Sequence, residues 1–366
     1  MKRQLDPLYK NIIRKLYRFL LGLKEIVNIL VPKNKEIRLN YAGALAGDVG
    51  GPLVKVKRLQ EYYPEQKFGY TILYSLSNTP YLSKSILNLI KKRKIPIIHN
   101  QNGVFYPAWF DGDWRAENKR MAGAYHLADY VFWQSEFCKR SADQFLGKRN
   151  GPGEILFNGV DTRRFCPSEK HSAGGRFRFL VSGKIGRHLA YRVEESIEAL
   201  SIVHKQGLNA ELVVAGWLDE EVLKTSKRLI NQLNITDYVV FTGSYSQEQA
   251  PEIYRSSNVY LMTKHNDPCP NTVLEAMASG LPVIYSESGG VPELVESSAG
   301  IPLNCKESYE EVQRVDVFEL AEAMLTASTE YIKMSEAARS RAQETFCIHK
   351  WIQRHSEIFN QLMKEI

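Results

Sequence analysis

The chain has 366 residues, 44% of them hydrophobic and 24% charged, and a formal net charge of +7 at pH 7. This length and composition predict two domains with full hydrophobic cores. The five cysteines are scattered and include no C-x-x-C pair, which argues against a disulfide framework or a structural zinc site and favours a reducing compartment.

The basic charge is concentrated at the N-terminus. Residues 1–38 contain ten Lys or Arg and three acidic residues, and the resulting +7 equals the net charge of the whole chain. A uniformly basic nucleic-acid-binding protein would not show this distribution. The longest apolar run in this segment, 19–23, is too short to span a bilayer, and the charges on both sides of it argue against a signal peptide.

The same segment has apolar residues at helical spacing. They are Leu16, Phe19, Leu20, Leu23, Ile26, Val27 and Leu30. This pattern predicts a basic amphipathic helix, which suits an anionic membrane surface reached through residues 1–30. Packing of the helix on the first domain or on a partner subunit is an equal alternative.

Strands and helices alternate after this arm. Residues 36–45 predict the first strand, and Gly50 and Gly51 precede the next helix. Backbone N–H groups at such a helix start attract anions, so the glycine pair is a candidate phosphate-binding loop, with a tight turn as the structural alternative. The G-x-G-x-x-G motif of dinucleotide-binding enzymes is absent, which argues against a dehydrogenase.

The next two predicted strands, 70–74 and 95–99, lead to a polar loop. Ligands of open α/β sheets bind beyond the carboxyl ends of the strands, so we expect His99 and Asn102 to border a cleft. Trp109 and Trp114 follow together with two aspartates. Aromatic faces and carboxylates suit sugar recognition, although these tryptophans can equally cap a core.

The most informative run of the second half is Asp267-Pro-Cys-Pro-Asn-Thr-Val-Leu-Glu275, with two carboxylates eight residues apart. Asn271 suits the cap position of a helix that starts there. The N–H groups of that helix start predict a phosphate site, with Glu275 one turn further on and able to accept hydrogen bonds from a ribose diol. The alternative is an ordinary strand–helix–strand unit in which Glu275 is a surface acid.

This run resembles the donor-site signature of retaining glycosyltransferases of family 4, E-x7-E-A-x-A-x-G-x-P-V-I followed by G-G-V-P-E. Here the first acid is Asp267, which keeps the charge of Glu but is one methylene shorter. Two further runs typical of the family, A-D-x-V-x-x-x-S-E-F and N-G-V-D-x-x-x-F-x-P, occupy 128–137 and 158–167. The resemblance covers about residues 36–366.

The resemblance implies an α/β protein with the GT-B fold, in which two doubly wound, Rossmann-like domains face each other across a cleft. We expect residues 1–35 to form the basic arm and 36–170 the N-terminal acceptor domain. Residues 171–345 would form the C-terminal nucleotide-sugar donor domain. Residues 346–366 would form a helix that crosses back to the first domain.

The resemblance also implies the site residues. The catalytic candidates are Asp267, Glu275 and His99. Candidates for binding the donor diphosphate are Lys184, Arg187, Arg192, Gly50, Gly51, Asn271 and Thr272, with Arg187 and Arg192 competing for one role. Candidates for the nucleoside are Glu275, Gly216, Gly243 and Tyr245. Candidates for contact with the acceptor or the sugar are Asn102, Trp109 and Trp114.

The implied activity is transfer of a hexosyl group from a nucleotide diphosphate sugar to an acceptor hydroxyl with retention, in surface polysaccharide, lipopolysaccharide or glycolipid synthesis. No cofactor or metal is expected, because fixed cations and helix dipoles can neutralise the charge on the departing diphosphate. The partners would be the nucleotide sugar and a glycan or lipid-linked acceptor in the cytoplasm, without nucleic acid. The alternatives are a GT-B protein that binds nucleotide without transferring, or a GT-B nucleotide-sugar epimerase or phosphorylase-like enzyme.

Overall fold

The computed structural model describes residues 8–47, 51–168 and 175–365. They form two compact units. The N-terminal unit runs up to Asn158 and resumes at Lys350, and the C-terminal unit comprises Gly159–His349. The division therefore falls twelve residues before the expected boundary at 170/171, and the chain returns to the N-terminal unit four residues after the expected 345/346.

The N-terminal unit is built on a parallel sheet in which the strands follow one another in chain order, β1-β2-β3-β4-β5. Strands β2 and β3 are buried along their whole length, as expected for a parallel sheet covered on both faces. Its elements are α1 (Leu8–Asn28), β1 (Leu39–Asn40), α2 (Gly51–Gln60), β2 (Ile72–Leu76), α3 (Lys84–Lys92), β3 (Ile97–Gln101), α4 (Trp114–Leu127), β4 (Tyr130–Trp133), α5 (Glu136–Phe145) and β5 (Gly153–Ile155).

The C-terminal unit has a six-stranded parallel sheet in the order β11-β10-β9-β6-β7-β8. Its elements are β6 (Phe177–Ser182), α6 (Ala190–Lys205), β7 (Ala210–Ala215), α7 (Glu220–Gln232), β8 (Val239–Gly243), α8 (Ala250–Arg255), β9 (Val259–Met262), α9 (Asn271–Ala278), β10 (Val283–Ser286), α10 (Val291–Val295), β11 (Gly300–Leu303), α11 (Val317–Thr329) and α12 (Tyr331–Thr345). The chain winds outward from β6 in one direction, then returns to β9 and winds in the other. This is the doubly wound order, with its switch point between β6 and β9.

The last helix, α13 (Ile348–Lys364), is amphipathic and packs on the N-terminal unit. Its buried His355 accepts or donates a hydrogen bond at 2.9 Å with the hydroxyl of Tyr74 on β2, and its ring lies 4.5 Å from that of Phe132 on β4. Phe359 packs edge-on against Tyr63. The helix is therefore part of the N-terminal core.

The expected fold class is confirmed: the chain consists of two Rossmann-like α/β units with parallel sheets. The doubly wound order, expected for both units, is seen in the C-terminal unit, whereas the five described strands of the N-terminal unit follow the chain order. Every helix within the described ranges is too short or too polar to cross a bilayer.

Candidate functional site

The carboxyl edge of the C-terminal sheet brings glycine loops into backbone contact. Gly216 follows β7 and has a φ of +117°, and a Cβ atom there would overlap the carbonyl oxygen of Gly183, which follows β6. The Gly216 N–H donates to the carbonyl of Gly243 at 2.9 Å. The two predicted nucleoside-binding glycines are thus adjacent, at the carboxyl edge of the sheet, where ligands of such sheets bind.

Glu275 lies on α9 and is 4% exposed. The Tyr254 hydroxyl donates to its Oε2 at 3.3 Å, and the Ser182 Oγ lies 3.3 Å from the same hydroxyl. Burial raises the pKa of nearby Tyr245 to about 12, with the Glu275 carboxylate as the second cause. The predicted pair Glu275 and Tyr245 therefore meets in one buried polar cluster. Sequence reasoning missed Tyr254 and Ser182, because neither stands in a recognisable motif.

Asp267 is fixed from several sides. Its Oδ2 accepts from the Lys264 ammonium at 2.6 Å, and its Oδ1 accepts from the Cys269 N–H at 3.3 Å. Its backbone carbonyl accepts from the Gly290 N–H at 2.9 Å. Gly289 has a φ of +72°, and a Cβ atom there would lie 2.7 Å from the same carbonyl oxygen. The two loops of the sequence signature are therefore locked together by backbone contacts.

The predicted cap of α9 is wrong. Pro270 occupies the cap position, Asn271 is the first helical residue, and no side chain caps the helix. The ring of Pro270 restricts its backbone to the extended conformation that precedes a helix, so the helix begins after it. The N–H groups of Asn271 and Thr272 belong to the first turn, which lacks intrahelical acceptors. The buried Asn271 Oδ1 likewise has no hydrogen-bond partner among the described residues.

The three candidate cations lie in different surroundings. Lys184 is exposed, with its ammonium 5.1 Å from the centre of the Trp217 ring. The Arg187 Nε donates to Asp219 Oδ1 at 3.0 Å, and this hydrogen bond is the main reason that the pKa of Asp219 is lowered. Arg192 is buried near the end of β9, with Nη2 3.8 Å from the Met262 sulfur. Its Nε has no hydrogen-bond partner in the part of the chain that is described.

This arrangement distinguishes the two competing arginines. The Arg187 side chain is paired with Asp219 at the start of α7. Arg192 lies beside the switch point, and its Nε–H has no hydrogen-bond acceptor among the described residues. Within the described ranges, no group of three or more His, Cys, Asp or Glu side chains is placed to hold a metal ion.

His99 is fully buried on β3 of the N-terminal unit. Its Nδ1 lies 2.7 Å from Ser75 Oγ and its Nε2 lies 3.0 Å from Gln101 Oε1. Burial lowers its pKa to about 4, so the imidazole is neutral at pH 7. Both ring nitrogens therefore contact hydrogen-bonding partners inside this unit.

Asn102 follows β3 and lies in a polar network. Its Oδ1 accepts from the buried Lys55 ammonium at 3.2 Å and from Gln134 Nε2 at 2.7 Å. Its Nδ2 donates to Asn78 Oδ1 at 2.9 Å. Lys55, on α2, was not predicted, because a lysine in the middle of an amphipathic helix pattern ordinarily faces solvent.

The two predicted tryptophans pack on neighbouring side chains. Trp109 stacks on Phe105 with ring centres 5.0 Å apart, and its Nε1–H donates to the Val104 carbonyl. Trp114 meets Phe145 edge-on, and the Arg115 guanidinium lies 4.1 Å from its ring centre. Both are half-buried. Gly51 begins α2, and Gly50 lies outside the described residues.

The chain is similar to known proteins in both sequence and fold. Residues 166–341 match the family model described as Glycosyl transferases group 1. The N-acetyl-alpha-D-glucosaminyl L-malate synthase of Bacillus anthracis is 24% identical over 225 residues, which cover 60% of this chain and 56% of the relative. The GDP-mannose-dependent alpha-(1-6)-phosphatidylinositol monomannoside mannosyltransferase of Mycobacterium tuberculosis is 29% identical over 161 residues, or 39% of this chain and 40% of the relative.

The matches thus span about half of the length of these curated relatives. The crystal structure of HepE from Anabaena in complex with UDP is similar with a TM-score of 0.64 and 16% identity, and the match covers 85% of this chain and 82% of that one. These similarities support the glycosyltransferase superfamily, and the fold is that of GT-B glycosyltransferase structures.

Proposed function

We propose that this protein is a hexosyltransferase that moves a hexosyl group from a nucleotide diphosphate sugar to an acceptor hydroxyl with retention, in surface polysaccharide, lipopolysaccharide or glycolipid synthesis. The observation that carries the proposal is the position of Asp267, Glu275 and the first turn of α9 at the carboxyl edge of one sheet, within the segment that matches the glycosyltransferase model. The sugar-transferring relatives and the UDP bound to HepE support it.

The side chains have distinct roles in this proposal. Glu275 binds the ribose hydroxyls, and its hydrogen bond from Tyr254 orients the carboxylate. Lys184 and Arg192 bind the diphosphate together with the first-turn N–H groups of α9, because fixed cations and helix N-termini stabilise phosphate charge. Asp267 binds hydroxyls of the donor sugar and stabilises the positive charge that develops at the anomeric carbon.

In the proposed reaction, the bond between the anomeric carbon and the diphosphate oxygen breaks, and the acceptor oxygen bonds to the same face of that carbon. The acceptor proton leaves with the diphosphate. Lys184 and Arg192 stabilise the negative charge on the departing group, so no metal is required. His99 has both ring nitrogens bonded inside the N-terminal unit, and the proposal therefore gives it a structural role.

The decisive experiment is a thermal-shift comparison with UDP, GDP, ADP and CMP. A ligand at 100 times its dissociation constant adds about 2.7 kcal/mol to the free energy of unfolding. We expect one diphosphate to stabilise the wild type and to lose this effect in Glu275→Ala. Glu198→Ala, an exposed glutamate on α6, is the matched control and should keep the full shift. If no nucleotide stabilises the wild type, the donor site is refuted.

One alternative has a specific observation in its favour. Asp267 replaces the glutamate of the signature, and its charge is paired with Lys264 at 2.6 Å, which suits a protein that binds nucleotide without transferring sugar. The two functions are separated by incubating the protein with the sugar conjugate of the stabilising nucleotide and a broad pool of acceptors. Sugar transfer indicates a transferase, and its absence indicates a protein that only binds nucleotide. Epimerisation of the sugar without any acceptor would instead indicate a GT-B epimerase.

We also propose that the enzyme is peripheral on the cytoplasmic face of a membrane, where residues 1–30 meet anionic lipid and the acceptor is a glycan or a lipid-linked sugar. The concentration of all the net charge in residues 1–38 and the absence of a C-x-x-C pair support this location.

A further inference from the structure

Helix α1 turns its apolar side away from the N-terminal unit. The large apolar side chains on this side are each between 44% and 62% exposed: Tyr9, Ile12, Ile13, Leu16, Phe19, Leu20, Leu23, Ile26 and Val27. We call this set the α1 stripe. A surface helix ordinarily buries such a stripe against the core, so α1 has the reverse orientation.

The inward side of α1 is held by polar contacts. The Tyr17 hydroxyl donates to the Gly43 carbonyl at 2.8 Å. Buried Glu25 accepts from the Tyr70 hydroxyl at 2.6 Å. The Asn28 Oδ1 accepts from the Gly69 N–H at 2.9 Å. Turning the stripe inward would break all three hydrogen bonds and leave Glu25 without its partner, so these contacts fix the outward orientation.

The direction of the helix follows from the same contacts. Gly43 lies after β1, and the Tyr17 ring packs edge-on against Tyr81, which lies after β2. At the other end, the Arg93 guanidinium donates to the Asn28 carbonyl at 2.5 Å, and Arg93 lies just before β3. The helix therefore runs antiparallel to the strands, and its N-terminal half lies at the carboxyl edge of the sheet.

The charges around the α1 stripe identify its partner. At 100° per residue, Lys15 and Lys24 lie on opposite edges of the stripe, and the Lys24 ammonium also pairs with Glu25 at 3.0 Å. A second copy docked through the same stripe would bring two segments of charge +7 together, which is repulsive. An anionic lipid surface attracts this charge and accepts an apolar stripe without needing a complementary groove.

We propose that the α1 stripe is a preformed docking surface for an anionic bilayer, with α1 lying in the plane of the membrane and the carboxyl edge of the N-terminal sheet beside it. This surface specifies how the proposed enzyme would contact the membrane. It rests on the proposed function, because only a glycosyltransferase with a membrane-borne acceptor would use this contact. The nine stripe residues insert among the lipid chains, while the hydrogen bonds of Tyr17, Glu25 and Asn28 keep the unit in one orientation on the surface.

The test is cosedimentation of the full-length protein with vesicles of phosphatidylcholine containing 30% phosphatidylglycerol. We expect Leu16→Gln/Leu23→Gln to weaken binding at least tenfold, because both side chains are exposed and glutamine keeps the helix. Lys15→Glu should weaken it about fivefold or more and reduce its dependence on salt. Phe318→Gln, which changes a 69% exposed side chain in the C-terminal unit, is the control and should bind as the wild type does.

Equal vesicle binding by the wild type and the double variant would overturn the proposal. Wild-type protein that does not bind the vesicles would also overturn the proposal, whether it dimerises through the α1 stripe or binds an acidic protein instead. Light scattering identifies a dimer that the double variant disperses. The nucleotide thermal shift, measured on the same variants, separates this outcome from failure of the proposed function, since α1 belongs to the other unit from Glu275.

Discussion

Glu195 lies on α6 and is 5% exposed, and neither of its carboxylate oxygens has a hydrogen-bond partner among the described residues. Burial raises its pKa from 4.5 to about 8, and the guanidinium of Arg314 is the largest opposing influence. The folded protein therefore holds a proton on Glu195 over the pH range in which the unfolded chain releases it.

This protonation predicts a pH-dependent stability. Because the folded state binds more protons than the unfolded state between pH 4.5 and 8, the free energy of unfolding falls as pH rises through this window. Glu195→Gln removes the titration, so its stability relative to the wild type should rise by roughly 4 kcal/mol from pH 5 upward and level off above pH 8. Urea unfolding between pH 5 and 9 measures the difference. The control is Glu198→Gln, exposed on the same helix, which should show no comparable slope.

Individual side chains show which features of the candidate site the sequence motifs could predict. The signature predicted Asp267 in a loop and Glu275 on the helix that follows it, and the structure agrees. It did not distinguish Arg187 from Arg192, because their difference lies in Asp219 and Met262, which are distant in sequence. The role of Lys264 was also missed, since the pairing of lysine and aspartate three residues apart depends on the turn of the loop between them.

At the scale of elements, the backbone contact between the loops after β6 and β7 predicts that Gly216 cannot be replaced by a residue with a side chain. Gly216→Ala adds a Cβ that overlaps the Gly183 carbonyl and strains a left-handed φ, so we expect a loss of about 3 kcal/mol or more in the free energy of unfolding. Gly207→Ala is the matched control, because Gly207 has a φ of +91° and open space at its Cβ. It should lose only about 1 kcal/mol. Equal losses in denaturant unfolding would show that the loop contact is unimportant.

The same scale shows why strand limits were harder to predict than strands. The first strand was expected over 36–45, but β1 comprises only Leu39–Asn40. Ala42 and Gly43 adopt left-handed conformations, with φ of 53° and 82°, and the Asn40 Oδ1 accepts from the Ala42 N–H. These local contacts end the strand, although the apolar pattern of the sequence continues.

For the whole molecule, each unit has its own buried core, and the candidate donor residues Lys184, Arg192, Asp267 and Glu275 all belong to the C-terminal unit. We therefore expect calorimetry to resolve two transitions. The stabilising nucleotide should raise only one of them, because a ligand stabilises the unit that binds it. Gly216→Ala should lower that same transition. A nucleotide that raises both transitions equally, or a Gly216→Ala effect on the other transition, contradicts this assignment.

The sequence by itself determined the fold class, the helix that begins after the Asp267 loop and carries Glu275, and the amphipathic helix at the N-terminus. These features depend on periodicity, glycine loops and short-range spacing, which local physics dictates. Only the tertiary structure decided which way that helix faces, that His99 is enclosed by Ser75 and Gln101, and that Arg192 lies beside β9. Each of these features depends on contacts between segments far apart in sequence. The side chains become buried and hydrogen-bonded in these positions only after the sheets have formed.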